Sequence, residues 1–322
     1  MLYLAIRDRV FMAEQITRFA AIDIGTVTCR LLVADVIDGS LFELKRAMRI
    51  TNLGDGVDKT GILSEAALDR VVGAMRFFLS ILKDYEDLDH PSIPISAIAT
   101  SAARDATNSD VLVEKLSELG IHLAIIPGER EAALSFAGAT RNYFEQPVIV
   151  VDVGGGSTEV ICGVGGVNIA YRHSFQIGCR RITERYLHAD PPTQEELACA
   201  RSALDEALKP ILDEFRAFKT NTLLAVAGTA TTCVSVTKHM ETYDPACVDG
   251  ERITLDQLEK LLHQMATTPL EVRKTIVGLE PGRAPVIVAG LLILERILTL
   301  LGQSGFIASE SDILQGLIMN AA

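Results

Sequence analysis

Val148–Val160 reads VIVVDVGGGSTEV, and its reading decides the fold. The β-branched run from Val148 to Val151 is a buried strand. It ends in an acid, Asp152, followed after Val153 by three glycines, Gly154, Gly155 and Gly156. With no Cβ to clash, such a turn can aim its N–H groups inward as an anion nest. Ser157 and Thr158 add hydroxyl donors, and Glu159 opens a return strand. Strand, acid, glycine turn, hydroxyls, acid and strand suit a phosphate chain held by N–H groups. A divalent cation would bridge it to the carboxylates.

The unit occurs twice. Phe19–Val36 reads FAAIDIGTVTCRLLVADV, and setting Asp23 on Asp152 gives an offset of 129 residues. Gly25 then falls on Gly154, and Thr28 on Ser157, with Thr26 inside the first turn. Two phosphate hairpins one domain-length apart predict a duplicated α/β domain with the ligand in a cleft between the halves.

The bulk composition agrees. At 322 residues the chain suits two domains better than one core. It is 48% hydrophobic and 22% charged, with a mean hydropathy of +0.27, as in a packed globular protein. None of the six cysteines forms a C-x-x-C pair, and most lie in apolar runs, which reads as reduced thiols of a cytoplasmic protein. The net charge of −12 argues against nucleic acid as a partner. No apolar run reaches the roughly 20 residues of a membrane span, because Glu295 and Arg296 stop the one at Ala284–Leu294. A polyanion would have to meet local basic patches, of which Arg172–Arg185, RHSFQIGCRRITER, is the densest.

In chain order, residues 1–17 read as an appendage, with Met12 an alternative start. Residues 18–127 form the first domain: three strands, a glycine-punctuated loop, a helix capped by Ser64, a strand, a helix after Asn108 and a last strand. Residues 128–322 form the second, its C-terminal helix free to pack back on the first. PGEREAALSFAGA (127–139) opens a helix with Glu129 and Glu131 in its first turn, which helix-dipole chemistry alone could explain. Gly228-Thr229 in AGTATT makes a third glycine–hydroxyl turn at a helix start. Ser309 with Asp312 three residues on resembles a capping box.

AIDIGT, LGDGVD, ATSAARDATN, PGEREA, DVGGGSTE, GCRRITERYL, AGTATT and SESDILQGL, in this order, resemble the exopolyphosphatase–guanosine pentaphosphate phosphohydrolase family. That family belongs to the superfamily of actin, sugar kinases and heat-shock chaperones, whose ribonuclease H-like domains are duplicated. The resemblance implies hydrolysis of a terminal phosphoryl group of inorganic polyphosphate or guanosine pentaphosphate, with magnesium, or manganese in its place. It implies Glu131 as the catalytic glutamate, Arg104 on substrate phosphate, Asp152 and Glu159 as metal acids, and Arg181 near the phosphates. Gly154–Ser157 is its main phosphate loop. A homodimer is allowed for. The chain departs from the family at Val27, Asn52, Arg130 and Asp249, where an Asn, an Arg, a Glu and a His are usual.

Phosphoryl transfer asks for charge neutralisation, alignment and an oriented water. The hairpins and metal would supply the first two, and Glu131 the third. Arg172, Arg180, Arg181 and Arg185 are placed to grip a trailing chain. A sugar or acetate kinase would share the cleft but leave Glu131 unexplained. A sensor that binds such anions without cleaving them is the non-enzymatic alternative.

Overall fold

The structure is a computed structural model and describes residues 16–210, 214–215 and 218–321. The appendage expected over residues 1–17 lies outside these, except for Ile16 and Thr17, and Thr17 opens the first strand.

Two sheets carry the chain. In the first, β1 (Thr17–Ile24), β2 (Thr28–Ile37) and β3 (Ser40–Ile50) form an antiparallel meander. After α1 (Glu65–Lys83), β4 (Ile95–Ala99) pairs parallel to β1, and after α2 (Ser109–Ser117), β5 (Leu123–Ile125) pairs parallel to β4. The order is β3-β2-β1-β4-β5. The helix α3 (Gly128–Ala139) follows.

The second sheet repeats this plan. The antiparallel meander is β6 (Pro147–Val153), β7 (Thr158–Val164) and β8 (Asn168–Phe175). Then come α4 (Cys179–Tyr186), α5 (Gln194–Leu208), β9 (Leu223–Val226), α6 (Ala227–Thr237), β10 (Arg252–Thr254), α7 (Leu255–Thr267), α8 (Ile287–Leu301), β11 (Gly305–Ala308) and α9 (Ile313–Ala321). The order β10-β11-β9-β6-β7-β8 contains the first sheet's topology, with β6, β7, β8, β9 and β11 answering β1 to β5. The added strand, β10, is an antiparallel edge. This is a duplicated α/β architecture, as the repeated hairpin predicted.

Local chemistry sets the elements. The Ser64 hydroxyl accepts from Ala67 N–H and starts α1, whose buried face runs Leu68, Val71, Met75, Phe78 and Leu82. Asn108 caps nothing: its amide bonds both Leu63 backbone groups and ties two loops together. Ser309 and Asp312 form no capping box. Ser309 Oγ accepts from Ser311 N–H and Asp312 Oδ1 from Leu314 N–H, because the chain needs a separate turn to leave β11 before α9 begins. The 50–62 loop holds a one-turn helix, Val57–Thr60, between two left-handed glycines.

α3 and α9 join the halves. Ala132, Phe136 and Ala139 of α3 pack on Val148, Val150 and Ile161 of the second sheet. Leu134 turns the other way, to Ile313, Leu317 and Ile318 of α9, which cover Ala21, Leu32 and Ile98 of the first sheet. The helices cross at glycines. A β-carbon at Gly138 would overlap the Asp312 carbonyl, and one at Gly316 the Leu134 carbonyl. Backbone cannot yield as a flexible side chain can, so Gly316→Val should cost about 1–3 kcal/mol, as overpacking does. Urea denaturation reads this as a lowered midpoint, and an unchanged midpoint would show slack between α3 and α9.

Candidate active site

The hairpin turns β1–β2 and β6–β7 face each other. Each is closed alike, Gly25 N–H donating to Thr28 O at 2.9 Å and Gly154 N–H to Ser157 O at 3.1 Å. They touch: a β-carbon at Gly155 would lie 2.7 Å from Thr26 Cβ, so only glycine fits there. The start of α4 docks behind the second turn. Cys179 N–H donates to Gly154 O and Arg180 N–H to Gly155 O, each at 2.9 Å, and Arg181 Nε donates to Gly156 O at 2.8 Å. Gly178 permits this approach, since its β-carbon would fall 2.5 Å from the Gly155 carbonyl carbon. With its carbonyls drawn backward, the turn has its N–H groups to spare. Those of Gly155, Gly156 and Ser157, and of Thr26 and Val27 opposite, donate to no protein group among the described residues. Partnerless N–H groups of this kind call for a ligand.

A cavity of about 70 Å³ lies between the turns. Of the residues singled out in the sequence, Asp23, Gly25, Thr26, Thr28, Glu131, Asp152, Gly154, Gly155, Gly156, Ser157, Gly228 and Thr229 line it. Four do not. Thr158 is buried with its hydroxyl on Ile177 O, and Glu159 lies behind the wall, accepting from Ser174 Oγ at 2.6 Å. Arg104 holds Glu131 through Nη1 at 2.6 Å and Ile126 O at 2.9 Å. Arg181 turns to the first domain, pairing with Asp58 and Asp105.

The other basic residues of that stretch are also engaged. Arg185 clasps Asp58 with two bonds of 2.6 Å, and Arg180 reaches Asp55 at 3.3 Å and Asn52. Arg172 pairs with Glu129 at 2.8 Å. Arg185, with Arg181 beside it, holds the Asp58 carboxyl below its usual range. Together Arg180, Arg181 and Arg185 clamp the second domain to the first.

Burial dominates the carboxyl groups. It pushes Glu131 up to about 7 against the pull of Arg104, with Asp152 and Asp23 adding to the rise. It pushes Asp152 up to about 6, opposed by the Ser135 hydroxyl, which donates at 2.7 Å. Glu159 is raised well above its ordinary value by burial and by Glu131 and Asp152. Asp23 is raised by burial despite Arg30.

Several contributors escaped the sequence reading. Ser135 lies four residues after Glu131, on the same helical face, which was a readable signal. Arg30 stands at the repeat offset from Glu159 and so was also readable. Arg283 had no such signal. Its guanidinium lies so close to Gly228 that a β-carbon there would overlap it, and it makes no hydrogen bond or ion pair among the described residues. With Arg30, Ala227 and Gly228 it lies on the wall shared with a larger cavity of about 570 Å³. That cavity mixes Leu31, Met48, Met240 and Leu279 with Glu241 and Glu310.

The Ppx/GppA phosphatase family model matches residues 32–322. The chain belongs to the Ppx/GppA phosphatase family. Exopolyphosphatase 2 of Mycobacterium tuberculosis is 36% identical over 325 residues, covering 95% of this chain and 99% of the relative. The crystal structure of an exopolyphosphatase-like protein superposes with a TM-score of 0.89 at 32% identity, over 96% of this chain and 98% of that one. The Aquifex aeolicus Ppx/GppA enzyme gives 0.78 at 30% identity, over 95% and 99%. In this Ppx/GppA chain the glycine turns and Glu131 fall together at one cavity.

The raised Asp152 carboxyl has a measurable consequence. The folded state keeps a proton that the unfolded chain releases, between the ordinary 3.8 and about 6. The stability present below pH 3.8 is therefore lost as pH rises through 6. In metal-free buffer at pH 8, Asp152→Asn should be the more stable protein by on the order of 1–3 kcal/mol, the gain shrinking toward pH 4. Urea titrations at pH 4, 6 and 8 check this. A pH-independent difference would show that Asp152 has a counter-charge in the folded state.

Proposed function

We propose that this chain is an exopolyphosphatase, releasing terminal orthophosphate from inorganic polyphosphate. The observation that carries the reading is the convergence of partnerless N–H groups from both hairpins on the cavity that Glu131 lines. The family membership and the polyphosphate named in its relatives support the anhydride as substrate.

In this reading the terminal phosphoryl group enters between the turns. The N–H groups of Gly155, Gly156 and Ser157 bind its equatorial oxygens, and Thr26 and Val27 bind from the other side. Charge spreads over those oxygens in the transition state, so fixed donors act there without reorganising. Glu131 accepts a proton from the attacking water. A base near 7 is matched to that work at neutral pH. Arg104 fixes the Glu131 carboxylate from behind and so sets the direction of attack.

The donor set fits a hard divalent ion such as magnesium, or manganese. Asp152 has one oxygen on Ser135 and among the described residues no cationic side chain bonds it, though the Arg30 charge acts on it from nearby, and Glu159 stands behind it. Among the described residues no three acids, histidines or cysteines group to hold a metal alone. That suits an ion that takes much of its shell from phosphate and water. When bound, it would neutralise charge on the transferred and bridging oxygens.

A second reading has its own observation. The 570 Å³ cavity next to the site sets apolar Leu31, Met48, Met240 and Leu279 beside Arg46, Arg283, Glu241 and Glu310, a mixed wall that suits a nucleoside with its phosphates and so favours guanosine pentaphosphate. Orthophosphate release from long polyphosphate, tripolyphosphate and guanosine pentaphosphate, run side by side with magnesium, should be fastest per site on long polyphosphate. Faster release from guanosine pentaphosphate would move the conclusion to the second reading. Glu131→Gln should bind substrate and lose about 10²–10⁴ in kcat, the span of a lost general base. Near-normal turnover in that variant would remove Glu131 from the mechanism.

A further inference from the structure

The two hairpins share a backbone and differ in charge. Across the first, Asp23 of β1 pairs in register with Arg30 of β2. Across the second, Asp152 pairs with Glu159. The repeat thus places a guanidinium where its counterpart has a carboxylate. Arg30 reaches Asp23 Oδ2 through Nε at 3.1 Å and Nη2 at 2.7 Å. Its Nη1 bonds Asp312, just ahead of α9. The acids of the second hairpin receive hydroxyls alone, from Ser135 and Ser174, and no side-chain cation bonds either among the described residues.

We infer that Arg30 is a cation built into the first hairpin at the place where the second takes a divalent ion. The chain therefore holds one such ion, on Asp152 and not on Asp23.

The physical case is one of charge and occupancy. An ion brought to Asp23 would meet a guanidinium that never deprotonates, at close range and away from water. Only Oδ1 of Asp23 is open to it, since Oδ2 already takes two bonds from Arg30. Arg30 is held at both ends, because Asp312 bonds its other terminal nitrogen. Asp23 Oδ1 is buried without a partner. With the Arg30 charge on its sister oxygen, it is an acceptor for water or a protonated phosphate oxygen. Arg30 itself lines the cavity, and two of its five N–H donors remain uncommitted.

The inference rests on the hydrolase reading only for the presence of a metal. The test counts bound Mn²⁺ by electron paramagnetic resonance in wild type, Asp23→Asn, Asp152→Asn and Arg30→Gln. Methylenediphosphonate is present throughout, to supply the phosphate part of the shell. Wild type should bind one ion per chain. Asp23→Asn should keep its Kd within about 3-fold, and Asp152→Asn should weaken it on the order of 100-fold, since even an outer-shell loss reaches that size. Arg30→Gln should take up a second ion. If Arg30→Gln fails to fold, the other three proteins decide. Two ions or none in wild type, or equal losses in both Asp→Asn variants, overturns the inference. Phosphate release is read on the same samples. One ion without release sinks the hydrolase reading and leaves this one standing, and release with two ions does the reverse.

Discussion

The site depends on where three carbonyl oxygens point. Gly154, Gly155 and Gly156 have theirs turned toward α4 and bonded to Cys179, Arg180 and Arg181. A peptide plane that aims its oxygen one way aims its N–H the other, so docking α4 is what prepares the anion nest. The glycines are required twice over. Gly155 lets the facing hairpin touch, and Gly178 lets the helix come within contact of the turn. The side chains then need only refine a pocket that backbone has already made.

Duplication supplied the frame, and the two copies have since taken different work. Both meanders end at the cleft with the same turn, yet one carries an arginine and the other an acid at matching positions. The asymmetry continues outward. Glu131, between the sheets on α3, leans on Arg104 of the first domain, while Asp152 leans on Ser135 of the same helix. A helix that packs against both halves is the natural carrier for a group that must be held to both.

Much of this was legible in the sequence, and the reasons are local. The repeat offset aligned Asp23 with Asp152 and Gly25 with Gly154, and the structure gives both turns the same closing hydrogen bond. The Ser64 cap and the buried face of the helix it opens are written in capping chemistry and periodicity. What escaped was set by tertiary partners. The arginines after Gly178 read as a free basic track, but a basic patch says nothing about acids folded against it, and Asp55, Asp58 and Asp105 lie more than seventy residues away in sequence. Arg283 had no periodic or motif signal, since it sits on a one-turn 3₁₀ segment that only the fold brings to the cleft. Ser309 and Asp312 matched a capping pattern by spacing, and the turn out of β11 used them otherwise.

α9 has a consequence for how the protein is made. On a ribosome, β1, β2 and β4 emerge long before residues 313–321, which cover Ala21, Leu32 and Ile98. Until then the first sheet has one bare apolar face. Arg30 waits as long for Asp312, and until then it has Asp23 alone as a counter-charge. The first half is therefore not an autonomous unit that later halves decorate. It is a nascent intermediate with one apolar side open, and it is finished only once residues 313–321 have emerged. A nonsense codon between β11 and α9 would remove no cavity-lining glycine and still leave the first half unsealed.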